Sequence, residues 1–340
     1  MKVLGVRRVA AVLATLSLLL AAALLLGLAS GPSGLDASEV ARALAGGGAS
    51  DAAADIVLRI RLPRVVLAAL VGAALAVAGV LFQALLRNPL ADPYILGVSG
   101  GAALGGILVL AGGSALGLSY AAVPFAAFAG SLVTLALLYT VGGRGSRLDP
   151  TTLLLTGVVF NAFASAAIVF AASLAGLVEG ARIFLWLIGN LSALRGDVTA
   201  AVAAFLLVGL ACAIPLARGL NLLVLGEESA AQLGVDVRRL RRVILVGTSL
   251  MVGAAVAAAG LVGFVGLIVP HVLRLALGPD HRLLVPASAL AGAAFLVLCD
   301  TAARTLLPGR ELPVGAITAL AGGPLFLVLL RRQRARIFAP

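Results

Sequence analysis

The sequence has 340 residues, of which 62% are hydrophobic and only 11% are charged, and its mean hydropathy is +1.16. An average soluble domain carries about 25% charged residues, so a water-soluble fold is excluded. The formal net charge of +11 does not indicate nucleic-acid binding, because the basic residues lie in short connections between apolar runs, where they orient a membrane protein.

Ten apolar segments have the length of membrane-spanning helices. Runs of about 18 to 25 apolar residues cross a hydrocarbon core of roughly 30 Å as helices, and these runs lack the alternating polarity of barrel strands. The predicted fold class is therefore all-α, a polytopic membrane protein in which residues 1–340 form one transmembrane domain. The spans are predicted at 9–29, 64–86, 95–112, 119–141, 151–175, 197–217, 240–259, 261–277, 283–305 and 313–331.

The first segment follows Lys2, Arg7 and Arg8, a pattern that also opens secretory signal peptides. Its apolar run, residues 9–29, is longer than the usual signal-peptide core of roughly 7 to 15 residues. We therefore interpret it as a retained first helix.

The glycine-rich segment 97–106, at the start of the third span, does not form a phosphate-binding P-loop. Such a loop needs a lysine that reaches the β- and γ-phosphates, and the only lysine in the sequence is Lys2. Gly101 and Gly105 instead have the GxxxG spacing of closely packed membrane helices. Any ATP-driven role would require a separate nucleotide-binding subunit.

Three connections are long enough to contact partners: 30–63, 176–196 and 218–239. Glu179 and Arg182 lie in the second, where a solvated loop is a better interpretation than a substrate contact. The third is rich in charge, and we take 218–242 as a candidate docking segment. Within it, Glu227–Gly234 has the pattern of a short amphipathic helix that ends at a glycine.

The distribution of arginines predicts the orientation. An even number of spans places both termini on one side, and most of the 25 basic residues also fall on that side. Because basic residues accumulate in cytoplasmic connections, both termini are predicted to be cytoplasmic.

Two segments of the sequence resemble each other. Val71–Gly79 resembles Val252–Gly260, 181 residues later, and Pro89 recurs at the same offset as Pro270. Helices rich in alanine and glycine can resemble one another by composition alone. The alternative is an inverted repeat of spans 2–5 and 7–10, an arrangement typical of transporters.

Chemical groups at the depth of the membrane are few. Asp300 is the one carboxylate inside a predicted span, and Arg304 follows at i+4, so a structural ion pair is favoured over a proton-relay site. Neither a catalytic residue nor a metal site is predicted. Four isolated side chains are interpreted as capping, interface or packing residues: His271, His281, Cys212 and Cys299.

Several stretches together resemble the permeases of the FecCD type, which are membrane subunits of ABC importers for ferric siderophores, haem and vitamin B12. The resemblance extends over spans 2 to 10. The stretches that carry it are Arg61–Arg64, Gln83–Pro93, Leu96–Gly100, Leu225–Gly234, Gly263–Arg274 and Glu311–Thr318.

The resemblance implies a homodimer, or a pseudodimer with a paralogue, in the cytoplasmic membrane of a bacterium or archaeon. Two ATP-binding subunits and an external substrate-binding protein would complete the assembly. ATP and Mg²⁺ would bind to the ATPase, and this chain would hold no cofactor. Its substrate would be a ferric siderophore, haem or cobalamin, and the sequence does not distinguish among them. The alternative function is an ion-coupled secondary transporter built on an inverted repeat.

The resemblance also assigns three arginines at the outer side to the binding protein. Arg61, Arg64 and Arg304 would receive acidic residues of that partner, whereas the alternative is ordinary snorkelling of arginine towards lipid headgroups.

On the cytoplasmic side, the resemblance implies a gate and a coupling helix. Asn88 and Leu90 after span 2, with Pro150 and Thr151 at the start of span 5, would close the path, although an Asn-Pro pair can also simply end a helix. Polar residues of span 5 are candidate path-lining positions: Thr156, Asn161, Ser165 and Ser173. The residues implied to contact the ATPase are Glu227, Glu228, Ala231, Gln232, Leu233 and Gly234.

Overall fold

The computed structural model describes residues 5–46, 50–113, 117–144, 147–148, 150–191, 196–307 and 310–337, most of which are helical. A π-helical turn, Ile56–Arg61, joins α3 to α4, and 3₁₀ turns occupy Pro93–Leu96 and Tyr120–Ala122. Two short antiparallel strands, β1 (Gly143–Arg144) and β2 (Arg147–Leu148), precede α7. The helices are α1 (Val6–Ala29), α2 (Ala37–Ala45), α3 (Asp51–Asp55), α4 (Leu62–Leu85), α5 (Val98–Gly112), α6 (Val123–Gly142), α7 (Pro150–Leu174), α8 (Leu177–Leu187), α9 (Gly196–Leu225), α10 (Glu227–Gln232), α11 (Val237–Ala259), α12 (Val265–Leu277), α13 (His281–Thr305) and α14 (Val314–Ile337).

Each of the ten predicted spans corresponds to one apolar helix. Within the described residues, seven helices are long and apolar enough to cross a membrane, and three shorter apolar helices, α5, α12 and part of α14, account for the others. The all-α fold class is therefore confirmed.

The connections contain more helix than the sequence predicts. The first long connection includes α2 and α3, and the second includes α8. The predicted end of the sixth span near Ala217 is wrong, because α9 continues through Arg218 and Gly219 to Leu225. Gly219 does not end the helix, and the first glycine after it with a positive φ is Gly226, at 129°.

Helices α4 and α11 form the centre of the bundle. Both of the similar segments are buried at every residue: Val71–Gly79 in α4, and Val252–Gly260 at the end of α11 and its capping residue. The end of α4 and the start of α11 lie at the same face, where Arg87 and Arg241 approach the same carboxylate, so the two helices run in opposite directions. We call this the N-terminal face, because α1 also begins there, with Arg8 donating to the Leu277 carbonyl oxygen at the end of α12.

Glycines allow helix backbones to touch, as the GxxxG spacing predicts. A Cβ atom at Gly101 would lie 1.8 Å from the Thr134 hydroxyl oxygen of α6, and one at Gly105 would lie 2.2 Å from the Ala126 carbonyl oxygen. The interpretation of this segment as a packing surface of α5 is confirmed.

The contact between α4 and α12 is equally close and provides a test of the packing. We expect Gly79→Ala to lower the stability by roughly 1–3 kcal/mol, the usual cost of overpacking a close contact. The physical reason is that its Cβ would lie 1.8 Å from the Gly266 carbonyl oxygen. Thermal unfolding in detergent measures the effect. Gly247→Ala in α11 is the matched control, since a Cβ there meets nothing within 4 Å, and equal melting temperatures for the two variants would contradict the packing.

Candidate functional site

A cluster of charged residues joins α4 and α13 at the face opposite the N-terminal face. Arg64 donates to both carboxylate oxygens of Asp300, at 3.0 to 3.2 Å, and forms a second ion pair with Glu311 at 2.9 Å. Arg304 pairs with the other side of Asp300, its Nε lying 3.0 Å from Oδ2. The predicted i+4 pair of Asp300 and Arg304 is confirmed, and Arg64 is a further partner of the same carboxylate. We call these residues, together with Arg61, the arginine cluster.

Two arginines of the cluster cap the end of α1. Arg61 donates to the carbonyl oxygens of Leu28 and Ala29 at 2.6 and 3.1 Å, and also to the Ser33 hydroxyl. Arg304 donates to the carbonyl oxygens of Gly27 and Ser30. The last carbonyl groups of a helix have no hydrogen-bond partners within the helix and carry partial negative charge. The two guanidinium groups supply both the missing donors and a positive charge.

The structure brings the three predicted docking arginines together but corrects their expected exposure. Arg61, Arg64 and Arg304 are only 3%, 7% and 5% exposed, respectively, because each is bonded to groups of this chain. Their burial equally excludes snorkelling to lipid headgroups in this conformation. Only Glu311, whose side chain is 48% exposed, brings a charge of the cluster to the surface.

At the N-terminal face, residues 86–90 form a tight turn after α4, which we call the gate turn. The Asn88 amide donates to the Gln83 carbonyl oxygen at 3.0 Å, and the Arg87 amide donates to that of Ala84. Arg87 has φ of 50°, a backbone conformation that is uncommon for residues other than glycine. The Asn88 side chain accepts from the Leu90 amide at 2.9 Å, which fixes the two predicted gate residues relative to each other.

The predicted coupling segment contains a short helix, α10, as the sequence indicates. Ala230 is fully buried, whereas Glu228, Ala231, Gln232 and Gly234 are exposed. Leu233, just after the helix, is 64% exposed. Except for Glu227, the residues predicted to contact an ATPase therefore form an exposed edge.

Glu227 points inwards and connects three elements. Its carboxylate accepts from Arg241, a buried residue of α11, and lies 3.7 Å from Nη2 of Arg87 in the gate turn. Sequence reasoning placed Glu227 in the docking segment but did not identify these partners, which are separated from it by 14 and 140 positions.

The remaining gate and path residues of the seventh helix differ in their surroundings. Thr151 is exposed, and the side chain of Pro150 lies outside the part of the chain that the structure describes. Thr156 and Ser173 donate to carbonyl oxygens of their own helix. Asn161 donates to the Tyr94 carbonyl oxygen at 2.8 Å. Ser165 and Ser173 are both at exposed positions of α7.

A polar connection that sequence reasoning missed lies after the gate turn. The Tyr94 hydroxyl donates to the Val262 carbonyl oxygen at 2.7 Å and accepts from the Val262 amide at 2.8 Å. It thereby links the segment before α5 to the turn between α11 and α12. Burial raises the pKa of the nearby Asp92 carboxyl to about 6, although a hydrogen bond from the Tyr94 amide lowers it.

The two histidines have structural surroundings. Both are 2% exposed. The backbone amide of His281 donates to the Asn221 side-chain oxygen, which is also 2.7 Å from the imidazole Nδ1. The neighbouring Asp280 accepts from Arg282, and this bond is the main reason that the pKa of its carboxyl is lowered to about 2. This cluster joins α9 to the start of α13.

Comparison with known proteins gives a family match over nearly the whole chain. The model of the FecCD transport family matches residues 18–332. A solved structure that its description assigns to a metal-chelate type ABC transporter, in an inward-facing conformation, has 31% sequence identity and a TM-score of 0.83, covering 94% of this chain and 98% of that one.

Curated relatives are more similar in sequence. The uncharacterized ABC transporter permease protein YvrB of Bacillus subtilis is 45% identical over 82% of this chain and 79% of its own length. The cobalamin import system permease protein BtuC of Halobacterium salinarum is 45% identical, over 85% and 77%. The hemin transport system permease protein HmuU of Yersinia pestis is 42% identical, over 84% and 86%.

The arginine cluster predicts that Asp300→Asn lowers the stability of the protein much more than Asp55→Asn does. Asp300→Asn leaves Arg64 and Arg304 without their shared counter-charge, and removing one member of a buried ion pair typically costs about 3–5 kcal/mol. Asp55→Asn, the matched control, breaks only the exposed pair with Arg59, whose side chains are 60% and 80% exposed, and should change stability little. Thermal unfolding of the purified variants in detergent measures both. Unfolding of Asp300→Asn at the wild-type temperature would show that the cluster is not a major structural connection.

Proposed function

This chain belongs to the FecCD transport family and is a permease of the ABC importer type, and we propose that a separate ATPase subunit drives a metal chelate, haem or cobalamin through it. Membership also gives it a non-enzymatic role as a transport subunit. ATP and Mg²⁺ would bind to the ATPase, and we expect no cofactor in this chain.

The observation that carries the proposed ATPase coupling is the exposed edge of α10. This helix has six residues and packs against the protein through Ala230, which is fully buried. Its outer side carries Ala231 and Gln232, followed by Leu233, which is 64% exposed. Binding residues commonly lie on exposed connections that a rigid scaffold holds in position, so this edge suits a protein contact. We infer that the ATPase binds this edge, which makes the N-terminal face cytoplasmic and places both termini there.

We further propose that the opposite face receives a substrate-binding protein at the arginine cluster. The cluster contains three guanidinium groups and two carboxylates, those of Asp300 and Glu311, and therefore has excess positive charge. Because the arginines are buried, an acidic residue of the partner would have to displace Glu311 from Arg64, the ion pair that reaches the surface. Docking would then exchange one carboxylate for another without leaving a buried charge unpaired.

The substrate path is proposed to lie between two copies of the chain. The apolar face of α7 is exposed along its whole length, including Leu155, Val159, Phe163 and Phe170 at 60–66% exposure. A second copy packed against this face would enclose a weakly polar path, and such a lining suits a bulky chelate that must not bind tightly. Asn88, Leu90, Pro150 and Thr151 would close that path at its cytoplasmic end.

The alternative, an ion-coupled secondary transporter, is less well supported by the side chains. Such carriers usually expose an acidic group to the pathway. Asp300 is 1% exposed and is shared by two arginines, so it is not available to bind a transported cation.

ATP dependence distinguishes the two functions. The complex of this chain with its ATPase and binding protein is reconstituted in liposomes, and uptake of cyanocobalamin, haemin and a ferric hydroxamate is measured separately. We expect one of these probes to accumulate only when the ATPase-accessible side contains Mg-ATP. Accumulation driven by a proton or sodium gradient, or by the chain without its ATPase, would favour the carrier instead.

Cysteine crosslinking tests the proposed ATPase contact on α10. In a background with Cys212 and Cys299 replaced by alanine, Ala231→Cys should crosslink to a cysteine in the docking cleft of a co-expressed ATPase subunit. The adjacent Ala230→Cys is the matched control and should not react, because Ala230 is fully buried. Crosslinks of equal yield at the two positions, or at neither, would argue against this edge as the contact.

A further inference from the structure

We propose that Glu227 links the coupling helix α10 to the gate turn, so that movement of α10 by an ATPase repositions Asn88 and Leu90. Glu227 is a positioning residue in this proposal: it acts through Arg87 and touches neither substrate nor nucleotide. The proposal rests on the proposed function and specifies how its two cytoplasmic parts communicate.

The carboxylate of Glu227 is shared by two arginines that belong to different elements. Its Oε1 accepts from Nη2 of Arg241, near the start of α11, and lies 3.7 Å from Nη2 of Arg87. Arg87 directly precedes Asn88. One side chain of the coupling helix therefore contacts both the central helix α11 and the turn that carries the predicted gate residues.

The two ion pairs of Glu227 differ in strength, so the pair with Arg87 can break while the pair with Arg241 remains. Arg241 is buried, with 7% of its side chain exposed, so separating it from Glu227 would leave a guanidinium group buried without that counter-charge. Arg87 is 43% exposed and its distance is longer, and a pair of this kind contributes at most about 1 kcal/mol. The contact with the gate turn can therefore break and reform while α10 stays attached to α11.

The gate turn is built to transmit a displacement of Arg87. The strained backbone of Arg87, with φ of 50°, is held between the end of α4 and Asn88, whose side chain in turn accepts from the Leu90 amide. A strained conformation persists only where surrounding contacts maintain it. Loss of the Glu227 contact would remove one of the contacts that orient the Arg87 side chain.

Glycines on both sides of α10 provide the freedom that such a movement requires. Gly226 and Gly234 have φ of 129° and 83°, and a Cβ atom at Gly234 would meet nothing within 4 Å. The segment is thus a rigid turn of helix between two glycine residues, with Glu227 immediately after the first of them.

The test measures access to the gate, so that no substrate is needed. In the background with Cys212 and Cys299 replaced by alanine, Leu90→Cys is labelled by a membrane-impermeant maleimide in nanodiscs that contain the complete complex with its ATPase. Labelling rates are compared without nucleotide and after trapping with Mg-ATP and vanadate. The variants are Glu227→Gln, Arg87→Gln and the double substitution, with Glu227→Asp as the conservative variant. Arg59→Gln, which breaks an exposed ion pair at the opposite face, is the matched control.

We expect vanadate trapping to change the labelling rate severalfold in the parent and in Arg59→Gln. In Glu227→Gln and Arg87→Gln the two rates should become equal. In Arg87→Gln, which lies outside the residues predicted to contact the ATPase, the ATPase should still co-elute and still hydrolyse ATP. The double substitution should leave the two labelling rates as equal as in either single variant, because each single substitution already removes the contact between Glu227 and Arg87. Glu227→Gln additionally removes the charge that faces Arg241, a pair that Arg87→Gln leaves intact. Glu227→Asp should restore part of the difference.

Three results would overturn the proposal. A parent-like rate difference in Glu227→Gln would mean that the ion pair does not transmit the movement. Release of the ATPase from that variant would place Glu227 in docking instead, and additive single effects would mean that the two residues act separately. If the unsubstituted complex retains no ATPase, the proposed function itself fails, an outcome that is distinct because it does not depend on Glu227.

Discussion

The structure depends on one buried carboxylate, that of Asp300. A charge in the apolar interior of a membrane protein is stable only when it is paired, and Asp300 is paired twice, with Arg64 of α4 and Arg304 of its own helix. Arg304 and Arg61 then donate to the last carbonyl oxygens of α1. The carboxylate thus connects α4 to α13 and, through Arg304, to the end of α1, which explains why Arg64 and Arg304 are buried where the sequence led us to expect exposed cations. Arg61 is buried for a different reason, since it donates to the carbonyl oxygens of Leu28 and Ala29.

The arginines at the two ends of α4 form ion pairs that differ in burial. At its start, Arg64 is buried and bonded in fork geometry to Asp300, an arrangement that fixes two helices. Beyond its other end, the Arg87 side chain is 43% exposed and lies 3.7 Å from a carboxylate that it shares with Arg241. Buried pairs cannot be broken cheaply, whereas solvated pairs can, so the first end is suited to permanent attachment and the second to reversible contact.

The features that the sequence predicts correctly are those that depend on residues close to one another along the chain. Ten apolar segments, the α10 helix before Gly234 and the i+4 pair of Asp300 and Arg304 are all set by residues close in sequence, and all are present. The pairs Arg64–Asp300 and Arg87–Glu227 are separated by 236 and 140 positions, and no periodicity records which distant arginine meets which carboxylate. The continuation of α9 through Gly219 was missed for a related reason, since tertiary packing outweighs the modest helix penalty of one glycine.

Helix α4 is the element through which the two faces of the protein can communicate. It has 24 residues, about 36 Å of helix at 1.5 Å per residue, and it is buried without interruption from Val71 to Leu85. Gly72 and Gly79 bring its backbone against those of α13 and α12, where a Cβ atom would lie 2.3 Å and 1.8 Å from the carbonyl oxygens of Gly292 and Gly266. A helix packed this closely moves as one body with its neighbours, because interiors at this density deform little. Helix α4 therefore joins the arginine cluster at one face to the gate turn at the other as one closely packed unit.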